Sequence, residues 1–185
     1  MGRVLVFLAP GFEEIEALTV VDILRRAGID TDTVSISKDY TVPGAHGINV
    51  EADKVIAEVD FSDSEMIVLP GGMPGTKNLE ACEDLMTQVD DYLSSGRYVA
   101  AICAAPTILG HRSLLIDKPA CCYPGMEDQL QGAHVSFDKV VVSDKIITSR
   151  GMGTAIPFAL KLVEIFTDRV TSLSLAEKIV YNEKI

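Results

Sequence analysis

The chain has 185 residues, 48% hydrophobic and 23% charged, which excludes intrinsic disorder and fits one domain with its own core. Sixteen Lys and Arg stand against 27 Asp and Glu, a net charge of −11 that argues against a nucleic-acid partner, which would need a basic face. No apolar run approaches the roughly 18 residues of a membrane span, so no membrane partner is expected.

Short runs rich in Val, Ile and Leu alternate with segments of helical period. Val4–Leu8 predicts a buried strand rather than a signal-peptide core, because Glu13, Glu14 and Glu16 follow at once and no small-residue cleavage site is visible. With no export signal the expected location is cytoplasmic, and Cys82, Cys103, Cys121 and Cys122 are expected as reduced thiols. Glu13–Ala27 predicts a helix whose core stripe is Ile15, Leu18, Val21 (or Val20) and Leu24, with Gly28 just past its end. Thr33–Ile36 reads as a strand. Tyr40–Asn49, punctuated by Pro43, Gly44 and Gly47, reads as a hairpin or edge strand. Met66–Leu69 and Val99–Ile102 are further strands, separated by a helix over Leu79–Ser94 with a candidate break near Cys82–Glu83. A helix near Ala104–Gly110, strands at Val140–Val142 and Ile146–Thr148, and helices at Thr154–Phe166 and Leu173–Tyr181 complete the pattern. The alternation predicts an α/β domain: an open, mostly parallel sheet with helices on both faces.

In such a sheet, chemistry gathers where strands end and helices begin. Cys103 falls on one of these bends, between Tyr98–Ile102 and a helix with Pro106 in its first turn. Ala101 and Ala105 stand two before and two after it, the small residues that a sharp strand–nucleophile–helix turn requires. The helix end is expected to lower the thiol pKa. The bland alternative is a buried, inert cysteine. Gly71-Gly72 follows another strand and reads either as a tight turn or as a pair of backbone N–H donors for an oxyanion. Glu13 and Glu14 read as a solvated first helical turn, whereas Glu16, at the edge of the apolar stripe, can point at the sheet top. Desolvation there would raise its pKa, so that a neutral carboxyl could donate a hydrogen bond to a thiolate. Gly151-Met152-Gly153-Thr154 suggests a dinucleotide loop only weakly and reads better as a turn with Thr154 near a helix cap. His111 and His134 fall on no strand end, and no His/Cys group has metal spacing, so neither a metal nor another cofactor is expected.

Leu8-Ala-Pro-Gly-Phe-Glu-Glu-Ile-Glu16, Val68-Leu-Pro-Gly-Gly72, Ala100-Ala-Ile-Cys-Ala-Ala-Pro-Thr107 and Thr148-Ser-Arg-Gly-Met-Gly-Thr154 together resemble the ThiJ/PfpI superfamily, in its branch of the parkinsonism-associated deglycase and bacterial YajL-type proteins. The resemblance implies a flavodoxin-like sandwich, a homodimer, a nucleophilic Cys103 and a protonated Glu16 beside it. It also implies N–H donors from Gly72 and Ala104, and Arg26 helping to frame the site. Implied activities are cofactor-independent conversion of methylglyoxal to lactate, repair of early glycation adducts on proteins, oxidative-stress sensing and a holdase role. Tyr123 stands where some relatives carry a histidine, which leaves a peptidase reading without its base, and Met152 stands where many carry proline.

Overall fold

The computed structural model describes residues 2–182. In chain order the elements are β1 (Arg3–Leu8), α1 (Glu14–Arg26), β2 (Thr31–Ser35), the hairpin of β3 (Thr41–Pro43) and β4 (Asn49–Glu51), β5 (Lys54–Val55) and β6 (Ser64–Leu69). Then come α2 (Gly75–Glu80), α3 (Glu83–Ser94), β7 (Tyr98–Ile102), α4 (Pro106–His111), β8 (Pro119–Ala120), β9 (His134–Val135), β10 (Val140–Ser143), β11 (Ile146–Ser149), α5 (Ala155–Phe166) and α6 (Arg169–Lys178). Seven strands form one sheet in the order β10-β11-β7-β6-β1-β2-β5, parallel throughout except for the β10–β11 pair.

The period-two alternation of the strands divides the apolar residues between two cores. Val4, Val6 and Leu8 of β1, with Met66, Val68, Ala100 and Ile102, face α1, α5 and α6. Leu5, Phe7, Ile67, Leu69, Val99 and Ala101 face α3 and α4. Burial on both sides is why the central runs are apolar without interruption. Each such large side chain contributes about 1.5–3 kcal/mol relative to exposure.

Two expectations need correction. Ile15 and Leu18 are 51% and 37% exposed, while Glu16, Ala17, Val20, Ile23 and Leu24 are buried. The helix is rotated about its axis from the expected stripe, so that its core face begins at a glutamate. The last helix begins at Arg169 rather than Leu173, because Asp168 caps it by accepting from the Thr171 N–H at 2.8 Å. The break in the middle helix falls at Cys82, which precedes α3.

Candidate active site

Glu16 lies in the first turn of α1 on the face turned to the sheet and is fully buried. Cys103 directly follows β7 with φ 65°, a left-handed conformation that a cysteine holds only under constraint. Alternation would send residue 103 to the α4 side with Ala101. The left-handed turn breaks the alternation, and Cys103 instead packs on the α1 side with Ile102. There its thiol meets the carboxyl of Glu16. The backbone of the bend is fastened on both sides: the Cys103 N–H donates to the Ser149 carbonyl at 3.0 Å, and the Tyr123 N–H donates to the Cys103 carbonyl at 2.7 Å.

Gly71 fits between the two reactive groups because it lacks a side chain. A Cβ there would stand 2.5 Å from Cys103 Cβ and 2.6 Å from Glu16 Oε2. The sequence reading places the Gly71 N–H among the oxyanion donors; the structure corrects this, since that N–H donates to Glu16 Oε2 at 3.0 Å. The N–H groups of Ala104 and Gly72 are the ones that face the sulfur. Glu16 Oε1 has no hydrogen-bond partner among the described residues, which suits an oxygen that carries a proton.

Burial pushes the Glu16 carboxyl up to about 7, against the hydrogen bonds it makes with Cys103 and Gly71. Burial first, and the negative charge of Glu16 second, push the Cys103 thiol up to about 12, while the Ala104 and Gly72 N–H groups pull it down. The expected lowering of the thiol by a helix end is therefore outweighed by desolvation and by the adjacent carboxylate. Burial also raises Cys121 and Cys122, to about 11 and about 12. What sets Cys103 apart is its company: a buried carboxyl beside it and two N–H donors that favour negative charge on sulfur. The titration steps belong to the pair.

The half-exposed Tyr123 lies over Gly151, where a Cβ would be 3.4 Å from the tyrosine ring and 3.9 Å from the Cys103 sulfur. Gly151 thus borders the thiol and Tyr123 borders Gly151, a role for Gly151 that its turn motif does not signal. Arg26 does not join the cluster within this chain: it is ten residues beyond Glu16, about 15 Å along the helix axis, with its Nε 2.5 Å from Asp22. Glu14 is another departure from expectation. It is buried, accepts from the His46 N–H at 2.7 Å and meets His46 Nδ1 at 2.9 Å, pinning the β3–β4 hairpin to α1. No local pattern signals this contact, which joins residues 32 apart. Among the described residues, Glu13, Glu14 and His46 form a group able to hold a cation, their donor atoms lying within 4.8 Å of one another. Two of the three already bond each other, and the positive end of α1 opposes a cation.

The DJ-1/PfpI family profile matches residues 2–165. The chain belongs to this family. Protein DJ-1 homolog B of Arabidopsis thaliana is 38% identical over 88% of the chain, which spans only 37% of that plant protein's length. The Caenorhabditis elegans protein named glutathione-independent glyoxalase DJR-1.2 is 34% identical over 82% of the chain and 81% of its own length. Among solved structures, oxidized DJ-1 of Toxoplasma gondii superposes with a TM-score of 0.94 at 35% identity, covering 99% of this chain and 100% of that one. The mostly parallel sheet with its helices is the flavodoxin-like DJ-1 fold. Among the described residues, no helix is long and apolar enough to cross a membrane.

Proposed function

We propose that this member of the DJ-1/PfpI family is a cofactor-independent glyoxalase and deglycase, converting α-oxoaldehydes such as methylglyoxal, or their early adducts on proteins, to hydroxy acids. The observation that carries the reading is the fully buried Glu16 carboxyl in contact with the Cys103 thiol, beneath the N–H groups of Gly72 and Ala104. The name of the nematode relative supports it.

With the shared proton on Glu16, the Cys103 thiolate attacks the aldehyde carbon. The C=O π bond breaks, and the resulting alkoxide sits against the two N–H groups and takes the carboxyl proton. The Glu16 carboxylate then removes the hydrogen from that carbon, giving an enediol as the adjacent carbonyl oxygen takes up a proton. It returns the hydrogen to the adjacent carbon while the first hydroxyl gives up its proton and becomes the carbonyl of a hydroxyacyl thioester. Water cleaves the thioester, the acid leaves, and the thiol is restored. Redox state and atoms balance with one water consumed and no external oxidant. The test is lactate formation from methylglyoxal by the purified chain without glutathione. Turnover is expected, and its absence overturns the assignment.

One observation favours a second reading, redox sensing with an associated chaperone role. The same N–H donors and the neutral carboxyl that would stabilise an alkoxide would also hold the oxygens of a sulfinate on Cys103. Intact and peptide mass after mild peroxide should show two oxygens gained at Cys103 first; equal oxidation across the four cysteines would remove this reading.

We also propose a homodimer. Ile15, Leu18 and Ile48, all exposed, line a groove of about 650 Å³ beside Asp22 and Arg26. A second copy placed by a two-fold axis would cover the apolar strip and set these opposite charges across from each other. Sedimentation should give roughly twice 20.0 kDa. Leu18→Asp should give the monomer, and a wild-type monomer at micromolar concentration would refute the assembly.

A further inference from the structure

The segment that leaves β11 touches the reactive cysteine twice. The Ser149 carbonyl accepts the Cys103 N–H at 3.0 Å, and Gly151 borders the sulfur on the side of Tyr123. Ser149 is the last residue of β11 and is held by its pairing with β7 and β10, whereas Arg150 and Gly151 follow it outside any strand or helix, so something else must fix their path.

The Thr154 hydroxyl does so. Its Oγ1 accepts from the Gly151 N–H at 3.0 Å and from the Arg150 N–H at 3.2 Å, and lies 2.7 Å from the Ser149 hydroxyl. Proton counting gives the direction of the chain. Ser149 is fully buried and donates its single proton to the Lys139 carbonyl at 2.7 Å, so its oxygen is free to accept the Thr154 proton. The Gly151 carbonyl, 2.9 Å from Oγ1, offers that proton an alternative acceptor. One hydroxyl therefore holds two backbone N–H groups and a buried side chain in a single arrangement. Removing it would leave both N–H groups without this acceptor, and the strip would have to move to satisfy them.

We propose that Thr154 is a positioning residue for Cys103, its hydroxyl gathering the Ser149–Gly151 strip that anchors the cysteine backbone and flanks its sulfur. Thr154 does not touch the reacting atoms; it acts through the strip. The inference rests on the reading of Cys103 as the reactive atom, and it deepens that reading by naming what keeps the strained bend in register.

The experiment is the rate of Cys103 carbamidomethylation by iodoacetamide in the full chain, followed by peptide mass between about pH 5.5 and 9.5, with Cys82 as the internal reference. Thr154→Val keeps the shape and removes the hydroxyl; Thr154→Ser restores it. The Val variant is expected to react about 5- to 10-fold more slowly at Cys103, or with a displaced pH step, with Cys82 unchanged. The Ser variant should stay within about twofold of wild type. A Val profile superimposed on wild type, or a Ser variant as impaired as Val, overturns the proposal. If the Val variant does not fold, Ser149→Ala breaks the chain one link further on and is judged by the same Cys103 profile. Alkylation needs no aldehyde turnover, so a Thr154-dependent profile without lactate formation would refute the glyoxalase assignment alone.

Discussion

Cys103→Ala is expected to reduce lactate formation to the uncatalysed rate, and Glu16→Gln to lower it by about 10²- to 10⁴-fold, the usual worth of a positioned acid–base group. The two variants part company in stability. Glu16 is held in a place that disfavours its charge: its pKa rises from 4.5 to about 7, chiefly through burial. For a carboxyl raised on folding, the folded state binds the proton more tightly. Its contribution to stability is complete below about pH 4.5 and is lost as pH climbs through about 7. At about 1.4 kcal/mol per pKa unit the loss amounts to about 3 kcal/mol. Glu16→Gln, which cannot ionise, should therefore be more stable than wild type at pH 8 by up to about 3 kcal/mol, with the advantage gone near pH 4.5. Urea denaturation at the two pH values measures this. Equal stability of the two proteins at both would mean that Glu16 is solvated, and the site as described would fail. Reactivity should follow the opposite course. In wild type the pair loses its first proton through about pH 7, and Cys103 alkylation should rise there only through the fraction of the singly protonated pair whose remaining proton sits on Glu16 rather than on sulfur. In Glu16→Gln that step should vanish, leaving a single thiol titration below the wild-type upper step of about 12, because the carboxylate that raises it is gone.

Much of this arrangement can be read from local residue order, and the remainder depends on contacts distant in sequence. The small residues around Cys103 announce a bend, and a bend at a strand end in a parallel sheet announces a site. The direction of the sulfur is a different matter. It follows from φ 65° at Cys103, which sends two consecutive side chains to one face, and that depends on the fastening by Ser149 and Tyr123. The buried face of α1 escapes a local reading for a related reason. Ile15 and Leu18 look like core in a helical pattern, yet the sheet top accepts Glu16 because Cys103 and Gly71 are there to receive its carboxyl. An apolar-stripe argument has no means of ranking a buried glutamate above an exposed isoleucine. Glu14 is hidden by a hairpin that arrives 32 residues later. Gly71 and Gly72 are legible as a backbone device, but which N–H faces the sulfur and which faces the carboxyl depends on the position of α1.

The steric part of the site makes the sharpest demand. Gly71→Ala would place a methyl group 2.5 Å from Cys103 Cβ, 2.6 Å from Glu16 Oε2 and 3.0 Å from the Ile102 carbonyl oxygen. None of these is the loose end of a flexible side chain. Cys103 is fixed by two backbone hydrogen bonds, Glu16 is sealed in the core, and Ile102 O is main chain. The cost is overpacking, expected at roughly 3 kcal/mol because three neighbours must give way at once. Gly28→Ala supplies the control. Gly28 has φ 75°, but a methyl group added there would meet nothing within 4 Å, so only backbone strain of about 1 kcal/mol applies. Denaturation midpoints should therefore rank wild type, Gly28→Ala and Gly71→Ala in that order. Cys103 alkylation should be normal in the first two and distorted in the third, since the added methyl group wedges the thiol away from its carboxyl. A Gly71→Ala protein with wild-type midpoint and wild-type thiol reactivity would show that sulfur and carboxylate do not close around this glycine, and the shared-proton site would be lost with it.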